Sequence, residues 1–324
     1  MKSLRVSVVL IVAVVLSGQA FAQAWPNRPI RLIVPFAAGG PSDVVGREVA
    51  ARLQEQLGQP VIVDIRAGAN STIGAALAAK ANPDGYTILI GSVGTFAINM
   101  ITYKDRGYDS LRDFDLLSIS ARTPNVLVTS TKIGASTVKE AVQLLTANPG
   151  KLTWGVAGIG SSGHLTSELF MQRTRTSGII VPFKGAGAAM ADLVGGQIDF
   201  TFTSLGSAAS FIRSGRLRAL GVSSGKRIAQ FPDLPTLTEL GYKDLEVYSW
   251  QAFAAPKGLP KEIRSRLESA LITVVTTGAG RTNLENGGWE IVGGNGAVFH
   301  EILVREIALW RDVIKTANIK IDSN

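Results

Sequence analysis

The chain has 324 residues, a formal net charge of +8 and no cysteine. The missing cysteines exclude disulfides, thiol nucleophiles and zinc–thiolate sites, so packing alone must stabilise the fold. Lys and Arg are scattered, with no basic block and no basic residues interleaved with aromatics. A nucleic-acid partner is therefore not expected, and the positive balance suits long-range attraction of small anions.

Lys2 and Arg5 precede an apolar run from Val6 to Leu16 that only Ser7 interrupts. Ala20-Phe21-Ala22 then supplies the small-x-small pattern that signal peptidase reads. The run is shorter than the roughly 20 apolar residues of a bilayer span. Residues 1–22 therefore read as a cleaved signal peptide, and the expected location is periplasmic. Roughly 300 residues remain, more than one core usually serves, which suggests two domains.

The mature chain alternates short apolar strands with amphipathic helices. Ile30 to Pro35 reads as a strand, Ala37 to Pro41 as a Gly-rich turn, and Ser42 to Gln56 as a helix with Val45, Val49, Leu53 and Leu57 on one face. Val61 to Ile65 is the next strand, followed by the loop Arg66 to Ser71 and an Ala-rich helix to Ala81. Tyr86 to Ile90 is the third strand. A second series begins near Asn125, with strands at 126–129, 152–156, 179–182, 199–203 and 217–222. Helices are predicted at 137–147, 165–174 and 188–193. Residues 247–255 read as a strand crossing back, and helices follow at 261–277 and 297–316. This pattern predicts α/β units whose parallel sheets are covered on both faces. The second unit is inserted in the first: residues 23–123 plus 248–324 form lobe 1 and 124–247 form lobe 2. Crossing segments near Ala121–Pro124 and Glu246–Trp250 would make a hinge beside a cleft.

One Gly/Ser turn in each lobe leaves a strand and opens a helix. The first is Pro35-Phe36-Ala37-Ala38-Gly39-Gly40-Pro41-Ser42-Asp43, the second Gly158-Ile159-Gly160-Ser161-Ser162-Gly163-His164-Leu165. Small residues allow close approach of the backbone, and the first amides of a helix are free donors at its positive end, a ready anion site. Either turn alone is also what a tight strand–helix connection requires. The pair, with Ser92 in the turn Gly91-Ser92-Val93-Gly94-Thr95, favours a binding site. Asp43 equally suits helix capping or contact with a ligand amine, and His164 suits closure of the second turn on its backbone. Lys184 follows a strand, where it serves as a solvated charge or as a partner for a second carboxylate. Phe36, Phe96 and Trp250 read as core or cleft wall.

Trp25-Pro26-Asn27-Arg28-Pro29-Ile30 and the following Ile33-Val34-Pro35-Phe36-Ala37-Ala38-Gly39-Gly40 resemble the Bug family, the substrate-binding proteins of tripartite tricarboxylate transporters. The resemblance continues through Asn82-Pro83-Asp84-Gly85-Tyr86-Thr87, the Gly160 to Leu165 turn, Pro182-Phe183-Lys184-Gly185 and Pro232-Asp233-Leu234-Pro235-Thr236. It implies a two-lobed type II periplasmic-binding-protein fold, a small carboxylate held across the cleft, a membrane permease as partner, a monomer, no cofactor and no catalysis. By motif position it implicates Phe36, Ala37, Gly39, Asp43, Gly160, Ser161 and Ser162, with Gly40, Ser42, Asn70, Ser92, His164 and Lys184 completing the candidate set. One departure stands at Arg66 to Gly74, where the family usually writes a Gly-Ala-Gly-Gly run and this chain places Asn70 and Ser71.

Two rival patterns are weaker. Gly158-x-Gly160-x-x-Gly163 matches a dinucleotide fingerprint, but Val181-Pro182-Phe183-Lys184 stands where the acidic residue should end the next strand. Gly221-Val222-Ser223-Ser224-Gly225 matches a hydrolase nucleophile elbow, yet it runs into Lys226-Arg227 and a Pro-rich loop. No His/Asp/Glu grouping has metal-ligand spacing.

Overall fold

The computed structural model describes residues 25–183 and 185–316. The signal-peptide reading of residues 1–22 and the Lys184 candidate lie outside the described residues.

In the first sheet, β1 (Ile30–Val34) pairs in parallel with β2 (Val61–Ile65) and β3 (Thr87–Ser92). Between them run α1 (Pro41–Leu57) and α2 (Thr72–Ala79), and a single wide turn at Gly94–Ile98 leads into α3 (Asn99–Thr102). Proline suits the first position of α1 because no intrahelical acceptor exists for an N–H there. Gly58 closes α1 in the left-handed conformation, φ 72°. Val45, Val49 and Leu53 recur at the four-residue spacing that puts them on one face, and all pack against Leu32, Val34 and Ile90.

The long strand β4 (Phe114–Ser130) serves both sheets. Its first part pairs antiparallel with β9 (Tyr248–Pro256) and with β10 (Glu290–Asn295). From Asn125 onward its partners are β7 (Phe200–Ser204) and β8 (Leu217–Val222). The second sheet continues through β5 (Thr153–Val156) to β6 (Ile179–Pro182), both parallel pairings. The sheets are thus mixed, not parallel throughout: β9 enters antiparallel between β3 and β4 because the chain returns from the inserted unit in the opposite direction.

The second sheet carries α4 (Val138–Ala147) and α5 (Ser162–Thr174) on one face, over Trp154, Phe200 and Phe202. On the other face lie α6 (Ala186–Gly195) and α7 (Leu205–Arg213), over Val126 and Val128. The chain closes through α8 (Lys261–Thr276), α9 (Gly278–Asn286) and α10 (Gly296–Thr316). Helix α10 packs Phe299, Leu303 and Trp310 on the first sheet's side, and Val313 O accepts from Gln172 Nε2 of α5 at 3.1 Å. The N-terminal ends of α1 and α5 both follow the carboxyl ends of parallel strands, where α/β sheets form their ligand crevices.

Candidate ligand-binding site

The turn from β1 into α1 is held by its own acid. Asp43 is 4% exposed. Its Oδ2 accepts from Gly39 N at 2.8 Å, and its Oδ1 pairs with Arg47 Nε at 2.8 Å. Both oxygens therefore have partners within the turn and the start of α1. Gly39 has φ 79°, a conformation that favours glycine, and its N–H is directed at Asp43. Gly40 is the N-cap, Phe36 is half-buried and Ala37 is exposed. Since Pro41 has no N–H and Val44 N already donates to Gly40 O, helix geometry leaves the Ser42 and Asp43 amides without intrahelical partners. The Ser42 hydroxyl turns inward to Gln251 Oε1 at 2.7 Å.

The second turn has the same logic with a histidine in place of the acid. Gly160, at φ 77°, donates its N–H to His164 Nδ1 at 3.0 Å. Ser161 caps α5 by accepting from His164 N at 3.2 Å, while its own N–H goes to Gly158 O. Acceptance at Nδ1 places the neutral ring's proton on Nε2, which lies 3.7 Å from Glu168 Oε1. At 2% exposure, His164 is a strut inside the turn. The amides left over at this helix end are those of Ser162 and Gly163. The Ser162 hydroxyl accepts from Asn125 Nδ2 at 2.9 Å.

The loop after β2 replaces glycines with strain. Ala69, Asn70 and Ser71 all have left-handed backbones, with φ 42°, 48° and 75°. Each such non-glycine residue costs about 1–2 kcal/mol. Asn99, fully buried, holds the run: its Nδ2 donates to Asn70 O at 2.8 Å and Ser71 Oγ at 3.2 Å, and its Oδ1 accepts from Asn70 Nδ2 at 3.0 Å. Tyr108 supports Asn99 from below, with its own hydroxyl bonded to Thr95 O; burial pushes its phenol well above the usual range. Asn70 is thus a tie between loops, and Ser92 sits half-buried, its N–H donating to Thr95 Oγ1.

Of the candidate residues, the structure draws two groups together, 36–43 and 160–164, each around a helix N-terminus. Sequence reasoning missed Asn99, Asn125 and Gln251. Gln251 carried a signal, being a polar residue in the apolar run Tyr248–Pro256, and a buried amide needs a partner. The hydrolase rival also finds its answer. Ser223 is 1% exposed, donates to Val247 O and accepts from Asn125 N, so it stitches the two crossing segments together. A cavity of about 880 Å³ lies elsewhere, between the start of α4 and residues 230–235. Of the cations that line it, Lys139, Arg213 and Arg218, the last is already bonded to Ala135 O and Ser136 Oγ. Among the described residues no group of three or more His, Asp or Glu could hold a metal, and no helix is long and apolar enough to cross a membrane.

Residues 45–319 match the family model of the tripartite tricarboxylate transporter family receptor. Protein BugT of Bordetella pertussis is 39% identical over 243 residues, covering 75% of this chain and 74% of BugT. The structure of R. palustris Rpa4515 with adipate superposes with a TM-score of 0.85 at 35% identity, covering 91% of this chain and 99% of that one. The periplasmic binding protein BugD superposes with a TM-score of 0.82 at 32% identity, covering 91% and 99%. The chain therefore belongs to the tripartite tricarboxylate transporter receptor family, whose members are periplasmic solute-binding proteins and not enzymes.

Proposed function

We propose that this protein captures a small carboxylate in its cleft and presents it to a membrane permease. The observation that carries the reading is the pair of helix N-termini, one per sheet, whose leading amides have no intrahelical partner. One ligand carboxylate would lie between the Ser42 and Asp43 amides of α1 and the Ser162 and Gly163 amides of α5. Each hydrogen bond to a charged group contributes about 1.5–3 kcal/mol, so four would supply the roughly 8 kcal/mol of a micromolar complex. The complex of the homologue Rpa4515 with adipate supports a carboxylate as ligand. Phe36, Ala37, Gly39 and Gly40 would shape one side of the site and Gly160 and Ser161 the other. Asn70 and Ser92 would face the ligand's far end, with Lys184 as the partner of a second carboxylate.

Residues 23–123 plus 248–324 and residues 124–247 would move as two units about the crossing segments, and ligand would favour the closed arrangement through contacts available only there. The closed monomer is then the form a permease would recognise. The test is a melting experiment with adipate and a panel of di-, tri-, amino and aromatic carboxylates. A ligand at a hundredfold excess over its Kd stabilises by about 2.7 kcal/mol, a shift of several degrees. If no carboxylate raises the melting temperature, the proposal fails.

A further inference from the structure

Each turn assigned to the carboxylate is fixed by a buried side-chain hydrogen bond to a different crossing strand. Ser42 Oγ donates to Gln251 Oε1 of β9 at 2.7 Å, and both residues are at most 2% exposed. Asn125 of β4, 1% exposed, donates Nδ2 to Ser162 Oγ at 2.9 Å and to Thr166 Oγ1 at 2.8 Å, so it grips α5 at two points one turn apart. The two strands lie side by side, paired from Phe114↔Pro256 to Pro124↔Tyr248 with register shifts at Leu116/Ser118 and Ile119/Ala121. Helices α1 and α5 are therefore each pinned, at the end proposed to meet the ligand, to one strand of the pair that joins the lobes.

We propose that Gln251 and Asn125 are the positioning residues of the carboxylate site, each holding one half of the cradle on its own crossing strand. The inference rests on the reading of the two turns as the site. Its consequence is that closure is transmitted by the strands and not by loop rearrangement: a twist between β4 and β9 carries the two amide pairs toward each other as rigid ends.

Backbone exchange and binding in the mature full-length protein separate the possibilities. Without ligand, Gln251→Met should raise amide hydrogen exchange in peptides covering residues 38–46 and leave residues 158–166 as in the wild type. Asn125→Leu should do the reverse. Gln251→Glu keeps an acceptor for Ser42 and should restore normal exchange in the first turn. With adipate as probe, each of Gln251→Met and Asn125→Leu should weaken binding at least tenfold. The double variant Gln251→Met/Ser42→Ala should bind no worse than Gln251→Met alone, because both remove one tie, whereas the losses from Gln251→Met and Asn125→Leu should multiply. Unchanged exchange in both turns, or equal loosening of both by either variant, overturns the proposal; so do multiplying losses within the Ser42–Gln251 pair. If the wild type binds no carboxylate at all, the functional reading fails, while the exchange pattern still decides whether the two ties exist.

Discussion

Gly163→Ala is the smallest change that should disable the cleft. Gly163 is the second residue of α5, and a Cβ placed there would lie 2.2 Å from the Phe202 carbonyl oxygen of β7 and 3.2 Å from its carbon. Ordinary van der Waals contact starts near 3.4 Å, and the obstacle is backbone inside a sheet, not a side chain that can swing away. The helix end must therefore shift by roughly 1 Å, which in a packed interior costs about 1–3 kcal/mol of stability. The shift moves the Ser162 and Gly163 amides, and losing one charge-assisted hydrogen bond of about 1.5–3 kcal/mol weakens binding roughly 10- to 100-fold. Titration calorimetry with adipate, beside a thermal melt of the same sample, reads both effects. A folded Gly163→Ala protein that binds as tightly as the wild type would show that this helix end does not hold the ligand.

Gly160→Val should be worse than Ser161→Ala: it puts a branched side chain at φ 77°, whereas the serine change removes one cap, worth about 0.5–2 kcal/mol of stability. Comparing the two by melting temperature and by adipate affinity tests that order, and the reverse order refutes the backbone argument. Glu306 should make stability fall with pH. Burial pushes its carboxyl up to about 7, against the opposing hydrogen bond from Trp310 Nε1 at 2.5 Å and the charge of Arg305. The folded state therefore holds an extra proton between about pH 4.5 and 7, so stability drops by about 1–3 kcal/mol as pH rises through that window. Glu306→Gln should match the wild type at pH 4.5 and melt higher at pH 8; parallel melting curves across this range would refute the assignment.

The strand–helix alternation was legible because its periodicities are local. β2, β6 and β8 fall on the residues read from sequence, and α1 stops at Gly58 for the reason a glycine there suggests. The long strand β4 was not legible in full. Its first part contains Asp115, Ser118 and Ser120, all buried, which breaks the apolar signal; Asp115 is satisfied by Gly258 N and Leu259 N, partners more than 140 residues away. Helices α7 and α9 and strand β10 were also missed, α9 being rich in glycine and polar residues that give it a weak apolar face. At the site, the two turns were visible as motifs, but the engagement of the Gly39 and Gly160 amides by Asp43 and His164 was not. That engagement leaves the free donors in the first turn of each helix, at Ser42 and Asp43 and at Ser162 and Gly163. Asn99 could not be inferred, because its role depends on a strained loop 28 to 30 residues before it.

Strand β9 lies between β3 and β4, so the first sheet lacks a central member until residue 256 has been made. The second sheet takes its strands from one continuous stretch, residues 125–222, and can assemble beforehand from shorter-range contacts. Loop closure over more than a hundred residues must precede the final pairing, which makes that step slow relative to the rest. Refolding should accordingly pass through a species with the inserted lobe formed and the first sheet still split, its β3 and β4 edges unpaired. That intermediate is the form of this chain most prone to associate with copies of itself.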